Sequence, residues 1–242
     1  MASPSPDGHG GRPTLLEVAG VAGAGKSTLA RAICEGDPRC RRAEFIRTRT
    51  PGHVREVVLA LPRTIPVLVD SLRRPRLSWP EFKLLAYVTR WQRLLERRPS
   101  YRDRVAVLDQ GPFYALVRLR AQKPELWSRP RARRWWAEML EGWLSAIDVL
   151  VWLDAPDEVL WGRINDRSQS HATKGHSFEE ALAFLGRYRA LFADILDRAE
   201  AIGRPLVLRF DTSVTSPTEI ALLIEPLVAD ARTTAGGVRD AG

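Results

Sequence analysis

The sequence has few cysteines and no long hydrophobic run. Its 242 residues include only two cysteines, Cys34 and Cys40, so the second cysteine pair that would complete a zinc site is missing. No run of about eighteen apolar residues occurs, and residues 1–13 lack the charged-then-apolar order of a signal peptide. These absences predict a cytoplasmic protein with reduced thiols and without a membrane span.

Lysine is also scarce. Only four of the 37 basic residues are lysines, yet the formal net charge is +8, so arginine supplies almost all of the positive charge. A charge of this sign suits nucleic acid and small anionic ligands equally well. The arginines are scattered along the predicted helices and no nucleic-acid-binding module is recognisable, which favours small anionic ligands as partners.

Short apolar runs alternate with longer helical patterns along the chain. Continuous apolar strands separated by helices predict an α/β protein with a parallel sheet covered by helices on both faces. The strands are predicted at 14–18, 44–47, 105–108, 149–153 and 206–210. The helices are predicted at 26–34, 54–61, 79–97, 113–120, 132–147, 156–166, 178–199 and 217–231.

No internal repeat or linker divides this pattern, so residues 14–231 are predicted to form a single domain. Residues 1–13 are predicted to be a disordered leader, and residues 232–242 a flexible tail. A Trp-rich stretch, RARRWWAEMLEGWL, could contact a membrane or stack on bases. Its helical spacing instead favours packing in the core or, through Trp135 and Trp143, in a homodimer interface.

A glycine-rich turn between the first strand and the first helix matches a phosphate-binding motif. Gly20, Gly25 and Lys26-Ser27 fit the pattern G-x-x-x-x-G-K-[ST] in the strand–turn–helix context that it requires. The glycines allow backbone N–H groups to turn inward around phosphate oxygens, and the helix N-terminus adds its dipole. The predicted nucleotide-binding residues are Gly20, Gly23, Ala24, Gly25, Lys26, Ser27 and Thr28.

The motif predicts a bound nucleoside triphosphate, taken to be ATP, together with Mg²⁺. Lys26 is expected to reach the β- and γ-phosphates, and the Ser27 hydroxyl is expected to join the Mg²⁺ shell. The Asn-Lys-x-Asp run that GTPases use for guanine is absent, which favours a kinase or an ATPase. Residues 21–24 carry no cation, so an arginine that neutralises the transferred phosphoryl group must come from elsewhere.

A second carboxylate follows the third predicted strand. In the run VAVLDQGP, four apolar residues precede Asp109, as in the aspartate that assists Mg²⁺ binding beside a phosphate loop. Asp109 could hold a Mg²⁺-bound water or accept the proton of an acceptor hydroxyl. A purely structural turn after the strand is the alternative. We therefore predict Asp109 as a catalytic and metal-binding residue.

Four further stretches resemble the thymidylate kinase-like and deoxynucleoside kinase-like group of P-loop kinases. They are TRTPGH at 48–53, LLAYVTRWQRLL around Arg90, LDQGP at 108–112 and VLVWLDAPDEVLWGRINDR at 149–167. The likeness spans residues 14–212 and is most specific in the phosphate loop and the last of these stretches. It implies a P-loop three-layer sandwich with five parallel strands in the order 2-3-1-4-5 and a lid at about 163–177.

In that group, lid arginines close over the donor phosphates. Arg163 and Arg167 lie one helical turn apart in the matching segment. The resemblance therefore implies that these two catalytic arginines supply the positive charge that the phosphate loop lacks. A solvated helix face paired with Asp157 or Asp166 is the structural alternative.

On the acceptor side, the resemblance implies that Arg49 and Arg90 hold the acceptor molecule. Asp70 lies between the Arg90 helix and the second strand, where it could line the same pocket, and Gln110 directly follows Asp109. All four are predicted substrate-binding residues.

The acceptor motifs also depart from the pattern of the group. Thr50 replaces a glutamate, Gln110 replaces an arginine and Thr89 replaces an aspartate. These replacements weaken the case both for a nucleoside monophosphate and for a standard nucleoside as acceptor. They leave Asp109 as the best base for an alcohol acceptor.

The sequence thus predicts an ATP-dependent, Mg²⁺-requiring kinase for a nucleoside-, nucleotide- or sugar-like acceptor. One alternative is a phosphotransferase that modifies an antibiotic or natural product on the same scaffold. Another is a nucleotide-dependent regulatory ATPase without a small acceptor. A closing lid would exclude water, which favours transfer to an acceptor over hydrolysis.

Overall fold

The computed structural model describes residues 13–43, 51–72, 75–97, 104–166 and 177–237. Within these ranges the chain forms five β-strands and nine α-helices. The strands are β1 (Thr14–Gly20), β2 (Cys40–Arg42), β3 (Val105–Asp109), β4 (Val149–Asp154) and β5 (Leu206–Asp211). The helices are α1 (Lys26–Gly36), α2 (Pro51–Ser71), α3 (Trp79–Arg97), α4 (Pro112–Gln122), α5 (Pro124–Trp127), α6 (Pro130–Ala146), α7 (Asp157–Asn165), α8 (Phe178–Ile202) and α9 (Pro217–Gly237).

The five strands form one parallel sheet in the order β2-β3-β1-β4-β5, which confirms the predicted fold class and strand order. β1 lies at the centre, and all seven of its residues are buried. Val18 of β1 pairs with Asp109 of β3, and Gly20 pairs with Leu153 of β4. The carboxyl ends of these three strands therefore meet at one edge, where open α/β sheets bind ligands.

The second strand lies earlier in the chain than the sequence pattern predicted. β2 covers Cys40–Arg42, whereas the predicted range 44–47 lies outside the described residues. The Arg39 carbonyl accepts a hydrogen bond from Val105 N at 3.1 Å, and Ala43 N donates to the Val107 carbonyl at 2.8 Å. β3 thus pairs with a short arginine-containing segment whose side chains alone do not indicate a strand.

The other four strands agree with prediction to within two residues, but three helical regions differ. α9 extends to Gly237, six residues beyond its predicted end and into the segment predicted as a flexible tail. α2 runs for 21 residues and contains Pro62 and Pro66, although the prediction ended it at residue 61. The four-residue α5 was not predicted. A proline removes one backbone donor, and the rest of the helix persists here because its inner face packs against α3 and α6.

The tryptophans of α6 belong to the core of their own chain. Trp135 and Trp143 are each only 3% exposed, and Trp136 is 6% exposed. The indole N–H of Trp143 donates to the Val88 carbonyl at 2.8 Å, and that of Trp136 donates to the Leu116 carbonyl at 3.2 Å. The core-packing interpretation of this stretch is therefore confirmed, and these buried side chains offer no surface for a homodimer.

The described part of the chain shows the state of the cysteines and the character of the helices. Cys34 and Cys40 are both free thiols. No described helix combines the length and the apolar character that crossing a bilayer requires.

Candidate functional site

The phosphate loop connects β1 to α1 through three glycines in left-handed or otherwise positive-φ conformations. Gly20 has φ 152°, Gly23 has φ 84° and Gly25 has φ 86°. A Cβ at Gly23 would lie 2.8 Å from the Leu160 carbonyl oxygen, and one at Gly20 would collide with the Leu153 carbonyl. Side chains at these positions would therefore strain the backbone and push the loop away from β4 and α7.

Lys26 is the first residue of α1, and its side chain folds back across the loop. Its Nζ donates a hydrogen bond to the Val21 carbonyl at 2.7 Å, and the residue is buried. Ser27 and Thr28 follow on the exposed first turn of the helix. The loop thus gathers an ammonium group, a helix N-terminus and two hydroxyls at one point, an arrangement that suits a polyphosphate.

A cavity of about 330 Å³ opens beside this loop. One wall includes Gly23, Gly25 and Thr28, and another includes Arg163 of α7 and Thr212 of the turn after β5. We call this space the donor cavity. It lies at the carboxyl edge of the sheet, as the strand topology requires.

Arg163 is fixed in the wall of the donor cavity by the turn after β5. Its two guanidinium NH groups donate to Oγ1 of Thr212 at 2.9 Å and to the Thr212 carbonyl at 2.8 Å. The Thr212 hydroxyl in turn donates to the Asp154 carbonyl at 3.1 Å. The other predicted lid arginine, Arg167, lies outside the described residues.

The root of the predicted lid contains an ion-pair network that the sequence did not reveal. Arg189 of α8 donates to both carboxylate oxygens of Asp154, at 2.8 and 3.0 Å, and to Asp157 at 2.5 Å. The hydrogen bonds to Asp154 are the largest cause of the raised pKa of Arg189. Nearby, the rings of Trp161 and Phe178 lie 5.4 Å apart, edge to face. Asp157 thus pairs with Arg189 of α8, whereas Arg163 pairs with Thr212.

Asp109 ends β3 with one oxygen paired and one oxygen unpaired. Its Oδ2 accepts a hydrogen bond from Arg42 at 3.2 Å. Its Oδ1 is buried and has no hydrogen-bond partner among the residues that the structure covers. Such an oxygen at the same sheet edge as the phosphate loop fits a ligand to Mg²⁺ or to a metal-bound water. Sequence reasoning missed Arg42, which lies 67 positions from its partner.

No group of three or more acidic, histidine or cysteine side chains within the described ranges could hold a metal ion alone. This composition still suits Mg²⁺, which is commonly bound by one or two protein oxygens together with substrate phosphates. The residues present therefore fit Mg²⁺ bound with a nucleotide.

The predicted acceptor residues are distributed over several elements. Gln110 is exposed and takes the left-handed conformation with φ 59°, directly after Asp109. Arg90 lies on α3 and is only 7% exposed. Arg49 lies outside the described residues.

Asp70 is buried in contacts with the N-terminus of α6. It is 8% exposed, and its Oδ2 accepts a hydrogen bond from Ala132 N, in the first turn of α6, at 2.9 Å. Arg131 lies 3.5 Å from its other oxygen, and Arg129 donates to its backbone carbonyl. The N-cap residue of α6, Arg129, offers no side-chain cap of its own. Asp70 of α2 therefore caps α6.

One buried carboxylate in β1 was also missed. Glu17 is 0% exposed, and its oxygens accept hydrogen bonds from Phe113 N at 3.1 Å and Tyr114 N at 3.0 Å. Burial raises the pKa of Glu17 to about 8, although the two backbone donors act in the opposite direction. An acidic residue inside an otherwise apolar strand was the one sequence signal for it.

Residues 15–195 match the AAA domain family. A comparison with the curated proteins found no match.

Several solved structures share the fold. Deoxyadenosine kinase from M. mycoides with bound dATP has a TM-score of 0.51 and 13% identity, covering 88% of this chain and 99% of that chain. The same enzyme with bound dCTP has a TM-score of 0.53 and 13% identity over 89% and 100%. The YorR protein from Bacillus subtilis in complex with phosphorylated GDP has a TM-score of 0.50 and 17% identity over 91% and 98%. At these identities the likeness concerns the fold.

Proposed function

The chain belongs to the AAA domain family, and from that premise we propose that it is an ATP-dependent kinase for a small-molecule acceptor. The donor cavity carries this proposal, because it joins the phosphate loop to a wall built from Arg163 and Thr212. A triphosphate held at the loop would leave its nucleoside end inside the cavity. The fold that the chain shares with the deoxyadenosine kinase from M. mycoides supports the same reaction class.

Arg163 is proposed to contact the base of the donor nucleotide. Its guanidinium is planar and is held by two hydrogen bonds to Thr212, so little further ordering is needed for a flat ring to stack on it. This assignment differs from the sequence-based one, in which Arg163 lies over the phosphates. Arg167 remains the proposed lid arginine for the phosphates.

Ser27 and Asp109 are proposed to hold Mg²⁺ between the phosphate loop and β3. The unpaired Oδ1 of Asp109 supports this assignment. When bound, Mg²⁺ neutralises negative charge on the β- and γ-phosphate oxygens. Lys26 would exchange its hydrogen bond to the Val21 carbonyl for these phosphate oxygens.

The acceptor is proposed to be a nucleoside-, nucleotide- or sugar-like alcohol. Its oxygen would attack the γ-phosphorus as the bond to the bridging oxygen breaks, releasing ADP. With Asp109 holding Mg²⁺, the acceptor proton would pass to water; in the alternative role of Asp109, its carboxylate would take that proton. Arg90, Gln110 and Arg49 are the proposed acceptor contacts. A structural relative, the M. mycoides deoxyadenosine kinase, has been seen with the products dCMP and dCDP, which supports an acceptor of nucleoside type.

Release of ADP from Mg-ATP tests the proposal directly. Separate pools of nucleosides, nucleotides, sugars and aminoglycoside-like alcohols would be offered, with Lys26→Ala as the blank. Lys123→Ala is the matched control, because Lys123 follows the far end of α4 and pairs with Glu81 at 2.6 Å. We expect one pool to stimulate release in the wild type and in Lys123→Ala, and none to do so in Lys26→Ala.

The pools that stimulate ADP release also distinguish the kinase from the two alternative functions. Stimulation by the aminoglycoside-like pool alone would assign the chain to antibiotic modification. Slow release that no pool changes would contradict the kinase proposal and favour a regulatory ATPase. Equal activity in Lys26→Ala would remove the phosphate loop from the reaction altogether.

A further inference from the structure

β1 carries an acidic side chain at a position whose partners on the two neighbouring strands are apolar. Glu17 lies in the middle of the central strand, paired with Leu108 of β3 and Leu150 of β4. It is fully buried and three residues before Gly20, where the phosphate loop begins. Burying a carboxyl group is costly unless its oxygens are hydrogen-bonded, so its partners indicate what it does.

Those partners are the first backbone donors of α4. Glu17 Oε2 accepts from Phe113 N at 3.1 Å, and Oε1 accepts from Tyr114 N at 3.0 Å. The N-cap residue of α4 is Gly111, which has no side chain to cap the helix. Glu17 therefore caps α4 from a different element, 96 positions away from Phe113.

The turn between β3 and α4 is built against this carboxyl group. A Cβ on Gly111 would lie 2.6 Å from Cδ of Glu17 and 2.7 Å from its Oε2. Gly111 has φ −73°, which any residue adopts, so glycine is required there by the close approach of Glu17 and not by the backbone conformation. Gln110, in the same turn, takes φ 59°.

We propose that Glu17 is a positioning residue that fixes the Asp109–Gln110–Gly111 turn against the phosphate-loop strand. β1 continues into the loop that would hold the nucleotide, and the turn begins with the carboxylate proposed for Mg²⁺. The contacts of Glu17 therefore set the position of Asp109 relative to the loop. This inference rests on the proposed nucleotide and Mg²⁺ site.

The surroundings of Glu17 support a fixed position. Tyr87 of α3 is fully buried, and its pKa is raised by burial and, to a lesser extent, by the charge of Glu17. Two backbone N–H groups at a helix N-terminus thus face the carboxyl group, and the buried Tyr87 lies within electrostatic range of it. A side chain enclosed in this way holds the turn in one place.

The test compares ATP binding with and without Mg²⁺ by calorimetry in the full chain. The measurement is made at pH 8.5, where the wild-type Glu17 carboxyl group is ionised and both of its oxygens accept. In Glu17→Gln, an amide NH₂ replaces one acceptor oxygen and faces a backbone donor, so the turn is released while the phosphate loop is kept. We expect the gain in ATP affinity that Mg²⁺ provides to fall by about 10-fold, as when a partner of a metal ligand is removed. Affinity in the presence of EDTA should stay within about 2-fold of wild type.

Gly111→Ala approaches the same contact from the other side. Its new Cβ would push the Glu17 carboxyl group and the turn apart without changing a polar group, so it should give the same selective loss. Combining Glu17→Gln with Asp109→Asn should add nothing to the loss seen in Asp109→Asn alone, because both act on one carboxylate.

Asp148→Asn is the matched control. Asp148 Oδ2 accepts a hydrogen bond from Leu15 N at 2.8 Å. Leu15 lies on β1, like Glu17, but near the amino end of the strand, at the edge of the sheet opposite to the phosphate loop. This variant should keep the full Mg²⁺ gain. The inference is overturned if Glu17→Gln weakens ATP binding equally in Mg²⁺ and EDTA, if it leaves the Mg²⁺ gain intact, or if the wild type shows no such gain.

Failure of the proposed function would look different. A chain that transfers phosphate to no acceptor, yet loses its Mg²⁺ gain in Glu17→Gln and Gly111→Ala, keeps the positioning role and loses the kinase reaction. A chain that phosphorylates an acceptor with an unchanged Mg²⁺ gain in both variants keeps the reaction and loses the positioning role.

Discussion

At the scale of single residues, the site depends on side chains whose partners lie far away in the chain. Asp109 pairs with Arg42, Arg163 with Thr212, and Glu17 with the first turn of α4. The pairings of Arg163 and Glu17 hold these side chains in place. The pairing of Asp109 engages only Oδ2. The consequences can be measured one side chain at a time.

Glu17 should make stability depend on pH. Its folded-state pKa of about 8 exceeds its ordinary value of 4.5, so the folded chain retains a proton that the unfolded chain releases. This contribution is fully present below about pH 4.5 and is lost as the pH rises to about 8. Tyr87, its ionisable neighbour, has a pKa above 10 and stays neutral throughout this window.

Urea unfolding of wild type and Glu17→Gln from pH 4.5 to 8.5 checks this expectation. The free energy of unfolding of the wild type, relative to the variant, should fall by up to a few kcal/mol across the window. Parallel curves for the two proteins would contradict the raised pKa.

Arg163→Ala should weaken nucleotide binding by about 10-fold, since it removes the guanidinium proposed to stack on the base, which Thr212 holds in the lining of the donor cavity. If Arg163 contacts the base, calorimetry will give equal losses for ATP and ADP. A larger loss for ATP would instead support the original assignment to the phosphates. Arg209→Ala is the control, because Arg209 pairs with Glu200 on the exposed side of β5.

At the scale of elements, two helices obtain their N-terminal caps from other elements. α4 is capped by Glu17 of β1, and α6 by Asp70 of α2, while their own N-cap residues, Gly111 and Arg129, contribute no side-chain cap. These caps connect the N-terminus of α4 to the sheet and the N-terminus of α6 to α2. Their loss should therefore affect packing beyond the helix itself.

Asp70→Ala should lower the free energy of unfolding by about 1–2 kcal/mol, the usual cost of a lost cap. Asp194→Ala is the control, because its ion pair with Arg120 is exposed and is worth at most about 0.5 kcal/mol. Both should leave the KM for the acceptor unchanged. A raised acceptor KM in Asp70→Ala would support the substrate-binding role predicted for Asp70 from the sequence.

Features formed by contiguous residues could be predicted from the sequence, and contacts between distant elements could not. The phosphate loop was predictable because its functional residues are contiguous and glycine is required by the backbone at Gly23 and Gly25. The contacts of Asp109 with Arg42 and of Asp154 with Arg189 span 67 and 35 positions, and arginine is too frequent here for any one to stand out. The position of β2 was not predicted because its pairing with β3, and not its side-chain pattern, makes it a strand.

At the scale of the whole molecule, the donor cavity joins parts of the chain that are distant in sequence. The loop and α1 come from the first forty residues, whereas α7 and the turn after β5 come from the second half. A ligand that contacts both walls would tie these parts together. Binding should thus stabilise the domain as a unit.

Mg-ATP should raise the melting temperature of the wild type and leave that of Lys26→Ala nearly unchanged. At a concentration of 100 times Kd the expected stabilisation is about 2.7 kcal/mol. Differential scanning fluorimetry over a range of ATP concentrations checks it. An equal shift in both proteins would locate the bound nucleotide away from the phosphate loop.

The edge-to-face pair of Trp161 and Phe178 has an optical consequence. Trp161 lies two residues before Arg163 on α7, whereas the α6 tryptophans are enclosed in the core. Light emitted by the enclosed indoles will report denaturation, and light emitted by Trp161 should report any shift of α7 against α8 that nucleotide binding causes. Replacing Trp161 by phenylalanine should remove that nucleotide-induced change while leaving the unfolding signal intact, which gives the protein a built-in, label-free reporter for ligand screening.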